Sequence, residues 1–192
     1  MGFSPHTYTN PKTNRLERLF FAYPDAIQIY KKHPEVVLLD CTYKTNRFRM
    51  PLLNICAVTG NRKTIQVALC FLSGETGADY DWAIDKFEEV MNSHEIPEPD
   101  TWVTDRELAL MNTLDHMFPD SDHLLCTWHV NMNILANCRK HYPADLRDPL
   151  KKTLSNPQGY VPDPKWTEFL KDWAALVDST TENEYKARLA RF

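Results

Sequence analysis

Two aspartates that each close an apolar, strand-like run are the residues of this chain best suited to chemistry. Asp40 follows the run 36–39, and Asp105 follows the run 101–104. Carboxylates at the tips of two adjacent buried strands point the same way and can share a divalent cation. Mg²⁺ prefers such oxygen ligands and keeps positions open for phosphate. The pair therefore indicates phosphoryl-transfer chemistry on nucleic acid, although two carboxylates alone do not complete a site.

Each aspartate also has an ordinary structural interpretation. Asp40 is placed where a strand-end aspartate caps a turn through its side chain. Asp105 precedes a helix predicted over 107–117, and aspartate is a favoured residue at a helix N-terminus. From the residues alone, the structural interpretation of Asp40 is the more common one, and Asp105 can combine the two roles.

The segment from Cys126 to His129 has the spacing of two zinc ligands. His123 or Cys138 would have to complete a tetrahedral site, and the five cysteines include no CxxC pair. We therefore interpret Cys126 as a buried cysteine at a strand end, with His129 packing nearby, and expect no zinc. An odd, scattered set of cysteines fits reduced thiols in a cytosolic or nuclear compartment.

Length and composition allow one globular domain with an appendage, at 192 residues and 43% apolar content. No apolar run approaches the ~20 residues that span a bilayer, and no signal-peptide pattern is present, so we expect an intracellular protein without membrane association. A net charge of −4 is unfavourable for nucleic-acid binding. Binding therefore requires a local patch or another segment. The polar, basic turn 43–47 beside Asp40 is either such a phosphate contact or a solvated hairpin.

Apolar periodicity predicts three closely spaced, antiparallel strands followed by alternating helices and strands. The predicted core strands are 36–42, 52–59, 65–72, 101–104 and 123–126, and the predicted helices are 79–94, 107–117 and 128–141. This order predicts an α/β fold with a mixed sheet. It is the order of the ribonuclease H-like fold, which carries catalytic carboxylates at the ends of its first and fourth core strands.

The flanking segments are predicted to be simpler. Residues 1–15 are polar and are expected to form a loose N-terminal arm, and residues 16–142 are expected to form the core, beginning with a strand over 16–23 and a helix over 25–32. From residue 143 onward the pattern predicts helices only. These cover 146–154, 166–177 and 182–192, and the spacing of Trp166 and Trp173 on one helical face favours packing over base stacking.

Several short motifs, in this order, resemble the transposase domain of Mutator-like elements. They are Asp40-Cys-Thr-Tyr-Lys-Thr-Asn46, Glu75-Thr76 with Tyr80-Asp-Trp82, Thr104-Asp105-Arg-Glu-Leu-Ala-Leu110, Phe118-Pro119 and Cys126-Thr-Trp-His129. The same domain occurs in the related far-red-impaired-response plant regulators. The resemblance covers roughly residues 16–142 and, more loosely, the tail.

The resemblance implies a DDE transposase, in which two aspartates and a glutamate hold Mg²⁺ or Mn²⁺. Asp40 and Asp105 match the two aspartates, so both are expected to be catalytic metal ligands. Glu75, Cys126 and His129 also match the family pattern and are expected to be neighbours of the active site. The implied partners are DNA, as transposon terminal inverted repeats and target DNA, with a possible homo-oligomer, and the implied location is the nucleus.

The third carboxylate is where this sequence departs from the family. There it follows a helical insertion, in a short motif with arginine and asparagine, and no Arg-x-Glu-x-x-Asn stretch follows His129 here. We therefore expect a fragment or decayed copy that ends within the insertion, binds Mg²⁺ weakly and lacks strand transfer. The alternative is a domesticated, DNA-binding regulatory module without catalysis. A ribonuclease that cuts RNA–DNA hybrids is a weaker third possibility, since it needs a denser set of carboxylates.

Overall fold

The computed structural model describes residues 5–153 and 155–191, which form two compact units. The first unit ends at Val130 and the second begins at Asn131. This boundary lies before the predicted end of the core at residue 142. It falls inside a helix that runs from Thr127 to Cys138.

The first unit combines one sheet with helices. Its strands are β1 (His6–Thr9), β2 (Leu16–Ala22), β3 (Val36–Thr42), β4 (Leu52–Val58), β5 (Thr64–Phe71), β6 (Thr101–Thr104) and β7 (Asp122–Leu125). Its helices are α1 (Pro24–Tyr30), α2 (Gly77–Ser93), α3 (Leu108–Met117) and the start of α4 (Thr127–Cys138). The core elements come in the predicted order.

The seven strands form a single mixed sheet in the order β1-β2-β5-β4-β3-β6-β7. Strands β3, β4 and β5 pair antiparallel through short connections, whereas β3–β6 and β6–β7 are parallel. Helices α2 and α3 lie in the connections that lead to β6 and β7, as parallel neighbours require. The predicted α/β class and mixed sheet are therefore confirmed.

Side chains alternate along the strands between buried and half-buried, which gives the sheet one strongly apolar face. On β3, Val37 and Leu39 are buried while Val36, Leu38 and Asp40 are half-buried, and β4 repeats this alternation. The core on this face is rich in aromatic side chains. Trp102 of β6 lies between Phe87 of α2 and Phe118, with ring centroids 6.3 and 4.8 Å away. Burial of this face gives the sheet its register, because a slip of one residue would expose it.

Helix α2 begins with a capping box formed by Thr76 and Asp79, and Asp79 also contacts Arg18 of β2. The Thr76 side chain accepts a hydrogen bond from the Asp79 backbone N–H, and the Asp79 carboxylate accepts one from the Thr76 backbone N–H. Arg18 Nε donates to the same carboxylate at 2.9 Å. The Arg18 guanidinium also lies 4.8 Å from the ring centre of Tyr8 on β1. A threonine followed three residues later by an acidic residue is the local signal for this cap.

The second unit is built from short strands and two longer helices. Its elements are the end of α4, a 3₁₀ turn (Arg139–His141), β8 (Leu146–Arg147), a 3₁₀ turn (Pro149–Lys151), β9 (Tyr160–Val161), α5 (Pro164–Val177) and α6 (Glu182–Leu189). Trp166 is buried against Tyr142 and Phe169, which confirms its predicted packing role. Within the two described ranges, no helix has both the length and the apolar character to cross a membrane.

The predicted loose arm over residues 1–15 is wrong for its described part. His6–Thr9 is a strand, β1, which pairs antiparallel with β2. Its residues lack a strongly apolar pattern, since the strand depends on its neighbour. His6 packs edge-on against Phe20 at 6.0 Å. Residues 1–4 lie outside the described residues.

The prediction that everything after residue 143 is helical is also wrong. The region predicted as a helix over 146–154 contains β8 and a 3₁₀ turn instead, and residue 154 lies outside the described residues. Pro149 is the local cause, because proline has no N–H to donate and disfavours helical geometry at the residue before it. Asp148 is accordingly extended, and its side chain accepts a hydrogen bond from the Leu150 backbone N–H. The helices α5 and α6 are present as predicted.

Candidate functional site

Asp40 and Asp105 lie at the carboxyl ends of two neighbouring interior strands, on the same face of the sheet. The parallel strands β3 and β6 pair Val37 with Trp102 and Leu38 with Val103. Asp40 and Asp105 each lie two residues beyond the second pair, where the ladder has ended, and they remain close enough for the charge of Asp40 to act on Asp105. Val37 and Trp102 are buried on the helix-covered face. Since side chains alternate, the two aspartates belong to the other face.

His129 joins this pair from the first turn of α4. Its Nε2 lies 3.3 Å from Asp40 Oδ1. Cys126 precedes the helix, and its backbone N–H donates to the Thr104 carbonyl at 2.6 Å, which extends the β6–β7 pairing by one step. The structure therefore brings Asp40, Asp105, Cys126 and His129 to one edge of the sheet.

The charges at this edge act on one another. Partial burial raises the pKa of Asp105 above its ordinary value, and the charge of Asp40 adds to this rise. His129 acts in the opposite sense, as does a hydrogen bond that Asp105 accepts from the Glu107 backbone N–H. Two facing carboxylates repel each other, so a cation between them would relieve an existing cost.

Glu75 lies beside the pair in a hydrogen-bond network of its own. Its Oε1 accepts hydrogen bonds from the hydroxyls of Tyr43, at 2.5 Å, and Tyr80, at 3.2 Å. Tyr80 also lies 3.6 Å from the Cys41 sulfur. Because the Tyr80 proton is donated to Glu75, the thiol is the donor in this last contact.

The Cys41 thiol lies close to Glu75 and also to the pair Asp40 and Asp105. Burial, reinforced by the charges of Glu75, Asp105 and Asp40, raises the pKa of the Cys41 thiol to about 12. All three acidic residues therefore lie within electrostatic range of the half-buried Cys41 side chain. A thiol with its pKa raised this far carries its proton at neutral pH, which makes it a poor nucleophile.

Sequence reasoning did not find the roles of Tyr43 and Tyr80. One signal for them is spacing: Cys41 and Tyr43 are two residues apart at the end of a strand, so both can face the same neighbour. Tyr80, on the first turn of α2, is fully buried and has the polar end that such a residue must satisfy.

The structural alternatives for the two aspartates do not match what is observed. Helix α3 begins at Leu108, and Glu107 is its cap, accepting a hydrogen bond from the Ala109 backbone N–H at 3.2 Å. Asp105 therefore does not cap this helix. Asp40 lies within β3, opposite Asn54 on β4, and not in a turn.

The donor set at the site is small. Considering residues 5–153 and 155–191 only, no three His, Cys, Asp or Glu side chains are grouped to hold a metal ion. His123, one of the two residues that could complete a zinc site with Cys126 and His129, has its Nδ1 against the carboxylate of Asp115 on α3. The described site is thus a pair of carboxylates accompanied by a histidine.

The sequence of this chain is similar to those of several known proteins. Protein FAR1-RELATED SEQUENCE 5 of Arabidopsis thaliana is 29% identical over 122 residues, which cover 64% of this chain and 15% of that protein. FAR1-RELATED SEQUENCE 2 of the same plant is 26% identical over 182 residues, or 92% of this chain and 21% of that protein. The PKS-NRPS hybrid synthetase cheA of Chaetomium globosum is 28% identical over 130 residues, 68% of this chain and 3% of the synthetase.

The chain thus spans less than a quarter of each of these relatives. A family model described as the MULE transposase domain matches residues 36–133, about half of the chain. This range begins at β3 and includes Asp40, Glu75, Asp105, Cys126 and His129. The chain belongs to the MULE transposase domain family.

Proposed function

We propose that this chain is the core of a DDE-type transposase with a ribonuclease H-like fold, in which Asp40 and Asp105 bind Mg²⁺ or Mn²⁺. The full-length protein would cut DNA at the terminal inverted repeats of an element, join it to target DNA and act in the nucleus. Membership of the family supports this proposal. So does the strand order β5-β4-β3-β6-β7, with three antiparallel strands followed by two parallel ones.

The observation that carries the proposal is that Asp40 and Asp105 both follow the paired stretch of two parallel strands, close enough for the charge of Asp40 to act on Asp105. The residues fit a hard divalent cation, which takes carboxylate oxygen and leaves positions for water and phosphate. When bound, such an ion would stabilise negative charge on the reacting phosphate. The protein's own part is to hold the two carboxylates together.

Neighbouring groups fix these carboxylates. His129 Nε2 donates toward Asp40 when it carries its proton, and the Glu107 backbone N–H donates to Asp105. Glu75 accepts hydrogen bonds from the hydroxyls of Tyr43 and Tyr80. Two carboxylates supply only part of the coordination that a divalent ion requires. We therefore expect weak metal binding, with strand transfer requiring a third acidic ligand.

Manganese binding tests the proposal directly. Titration of the chain with Mn²⁺, followed by electron paramagnetic resonance, should show one weak site that is lost in Asp40→Asn and in Asp105→Asn. Asp100→Asn is the matched control, because Asp100 is exposed and precedes the other end of β6. Equal Mn²⁺ binding in Asp40→Asn and in the unchanged protein would refute the assignment.

A second candidate function is a DNA-binding regulatory module without catalysis. Two observations favour it: the described residues hold no three-ligand metal cluster, and FAR1-related proteins are among the relatives. DNA binding that persists in EDTA, with no Mn²⁺-dependent nicking of plasmid DNA by the chain or by its full-length parent, would support this candidate over the first.

A further inference from the structure

The loop that connects β3 to β4, residues 43–51, is the most cationic surface segment near the candidate site. Lys44, Arg47 and Arg49 are exposed, and the segment contains no acidic residue, although the whole chain has a net charge of −4. None of the three cations forms an ion pair with another described residue. Their charge is therefore available to an external anion.

An aromatic side chain stands among these cations. Phe48 is 69% exposed, the most exposed aromatic residue among those the structure describes. The Arg47 guanidinium lies over its ring, 4.7 Å from the centroid. An exposed aromatic ring flanked by arginine can stack on a nucleic-acid base while the cations contact phosphates.

The loop presents these side chains on a defined backbone. Asn46 organises it: its carboxamide oxygen accepts hydrogen bonds from the backbone N–H groups of Phe48 and Met50, and its amide nitrogen donates to the Met50 carbonyl. Lys44 and Arg49 both have φ near +60°, a conformation that costs free energy for residues other than glycine. The surrounding hydrogen bonds sustain this shape.

The loop is also attached to the candidate site. It begins three residues after Asp40, at the edge of the sheet where β3 ends and β4 begins. Tyr43, its first residue, donates its hydroxyl to Glu75. A DNA strand at the two aspartates would therefore meet the β3–β4 loop next.

We propose that the β3–β4 loop is a DNA-contacting element that recognises unpaired bases beside the candidate site. Lys44, Arg47 and Arg49 contact the phosphates, and Phe48 stacks on a base that has left the duplex. This inference rests on the proposed action on DNA, but not on metal binding. It also reconciles DNA binding with an acidic chain, since the basic surface is local.

The test is fluorescence anisotropy with the whole chain in EDTA, across a series of salt concentrations. One labelled DNA is a duplex with a few unpaired bases, and the other is the fully paired duplex. The charge variant is Arg47→Gln with Arg49→Gln. Its matched control is Arg62→Gln with Lys63→Gln, which removes two exposed cations from the β4–β5 turn at the opposite end of β4.

The charge variant should reduce the dependence of log affinity on log salt by about 1 for each cation removed, and the control should leave it unchanged. Phe48→Ala should weaken binding to the DNA with unpaired bases about 5- to 100-fold, while changing binding to the paired duplex less than about 2-fold. Tyr160→Ala, which removes the ring under Arg147 in the second unit, is the aromatic control. Because Phe48 is exposed, its removal leaves the folded core intact.

The possible failures are distinguishable. Binding by the unchanged chain that is equally affected by the loop and control variants would overturn the loop assignment and leave the proposed function standing. Failure of the unchanged chain to bind either DNA, even at low salt, would overturn the loop assignment, whereas absence of the Mn²⁺ site from the unchanged chain would separately overturn the proposed function. Equal effects of Phe48→Ala on the two DNAs would overturn the recognition of unpaired bases.

Discussion

Replacing Asp79 by asparagine is expected to destabilise the first unit more than the loss of charge at any exposed residue would. Asp79 is 3% exposed, and its carboxylate accepts hydrogen bonds from the hydroxyls of Ser73 and Thr76 and from Arg18 Nε. The ion pair with Arg18 joins α2 to β2, and both partners have little side-chain exposure. The substitution keeps the shape of the side chain but removes its charge.

The size of the effect follows from the charge that remains. Removing one partner of a buried ion pair costs about 3–5 kcal/mol, because the other charge is left without compensation. Arg18 retains its contact with the Tyr8 ring, which is worth about 1 kcal/mol in a partly exposed setting. We therefore expect a loss at the lower end of that range, about 3 kcal/mol in the free energy of unfolding.

The same residue gives the stability a pH dependence of known sign. Burial acts to raise the pKa of Asp79, but the hydrogen bonds from Ser73, Thr76 and Arg18 outweigh it and hold the pKa below its ordinary value. A carboxyl group with a lowered folded-state pKa contributes stability above its unfolded pKa, and this is lost as pH falls through the folded pKa. The unchanged chain should lose this stability below about pH 4, whereas Asp79→Asn should show a flatter profile.

Hydrogen exchange of amides in β2 and β5, followed as urea is increased, reports the unit that contains Asp79. Glu95→Gln is the matched control, because Glu95 forms an exposed pair with Lys31 at 3.7 Å and should contribute less than about 0.5 kcal/mol. A loss below about 1 kcal/mol in Asp79→Asn, or a pH profile identical to that of the unchanged chain, would refute the reasoning.

Two further predictions concern other parts of the chain. Gly159→Ala should cost more than about 2 kcal/mol in the β8–β9 region, because Gly159 has φ of +67° and an added Cβ would lie 2.2 Å from the Asp148 carbonyl oxygen. Hydrogen exchange at Asp148 measures this, with Gly77→Ala, which meets nothing within 4 Å, as the neutral control. Cys41 should react with iodoacetamide about 10³-fold more slowly at pH 8 in the folded chain than in the unfolded chain, since its thiol has a pKa of about 12. Mass spectrometry of the labelled peptide checks this rate, and similar rates in the two states would contradict it.

The strands that carry the candidate site were predictable because their residues favour strands and because one face of each strand is buried in the core. The predicted bounds 36–42 and 101–104 match β3 and β6 in the structure. Both segments are rich in β-branched and apolar residues, and both have one face in the core. Their closing aspartates could therefore be placed at one edge of a sheet before any geometry was known.

Features that depend on partners distant in sequence were not predictable in this way. Strand β1 has little apolar character of its own and exists because β2 offers an edge to pair with. The bonds from Tyr43 and Tyr80 to Glu75 join three segments that no periodicity connects. Pro149, by contrast, was visible in the sequence, and its effect on the predicted helix over 146–154 was underestimated.

The junction between β3 and β6 has a mechanical consequence. These strands pair only over Val36–Leu38 and Thr101–Val103, a shorter stretch than between any other neighbours in this sheet. Asp40 and Asp105 lie beyond this stretch, so no pair in the ladder joins them directly. A ligand that bridges the two carboxylates would add a link between β3 and β6 where backbone pairing has ended, so ligand binding would stabilise this junction.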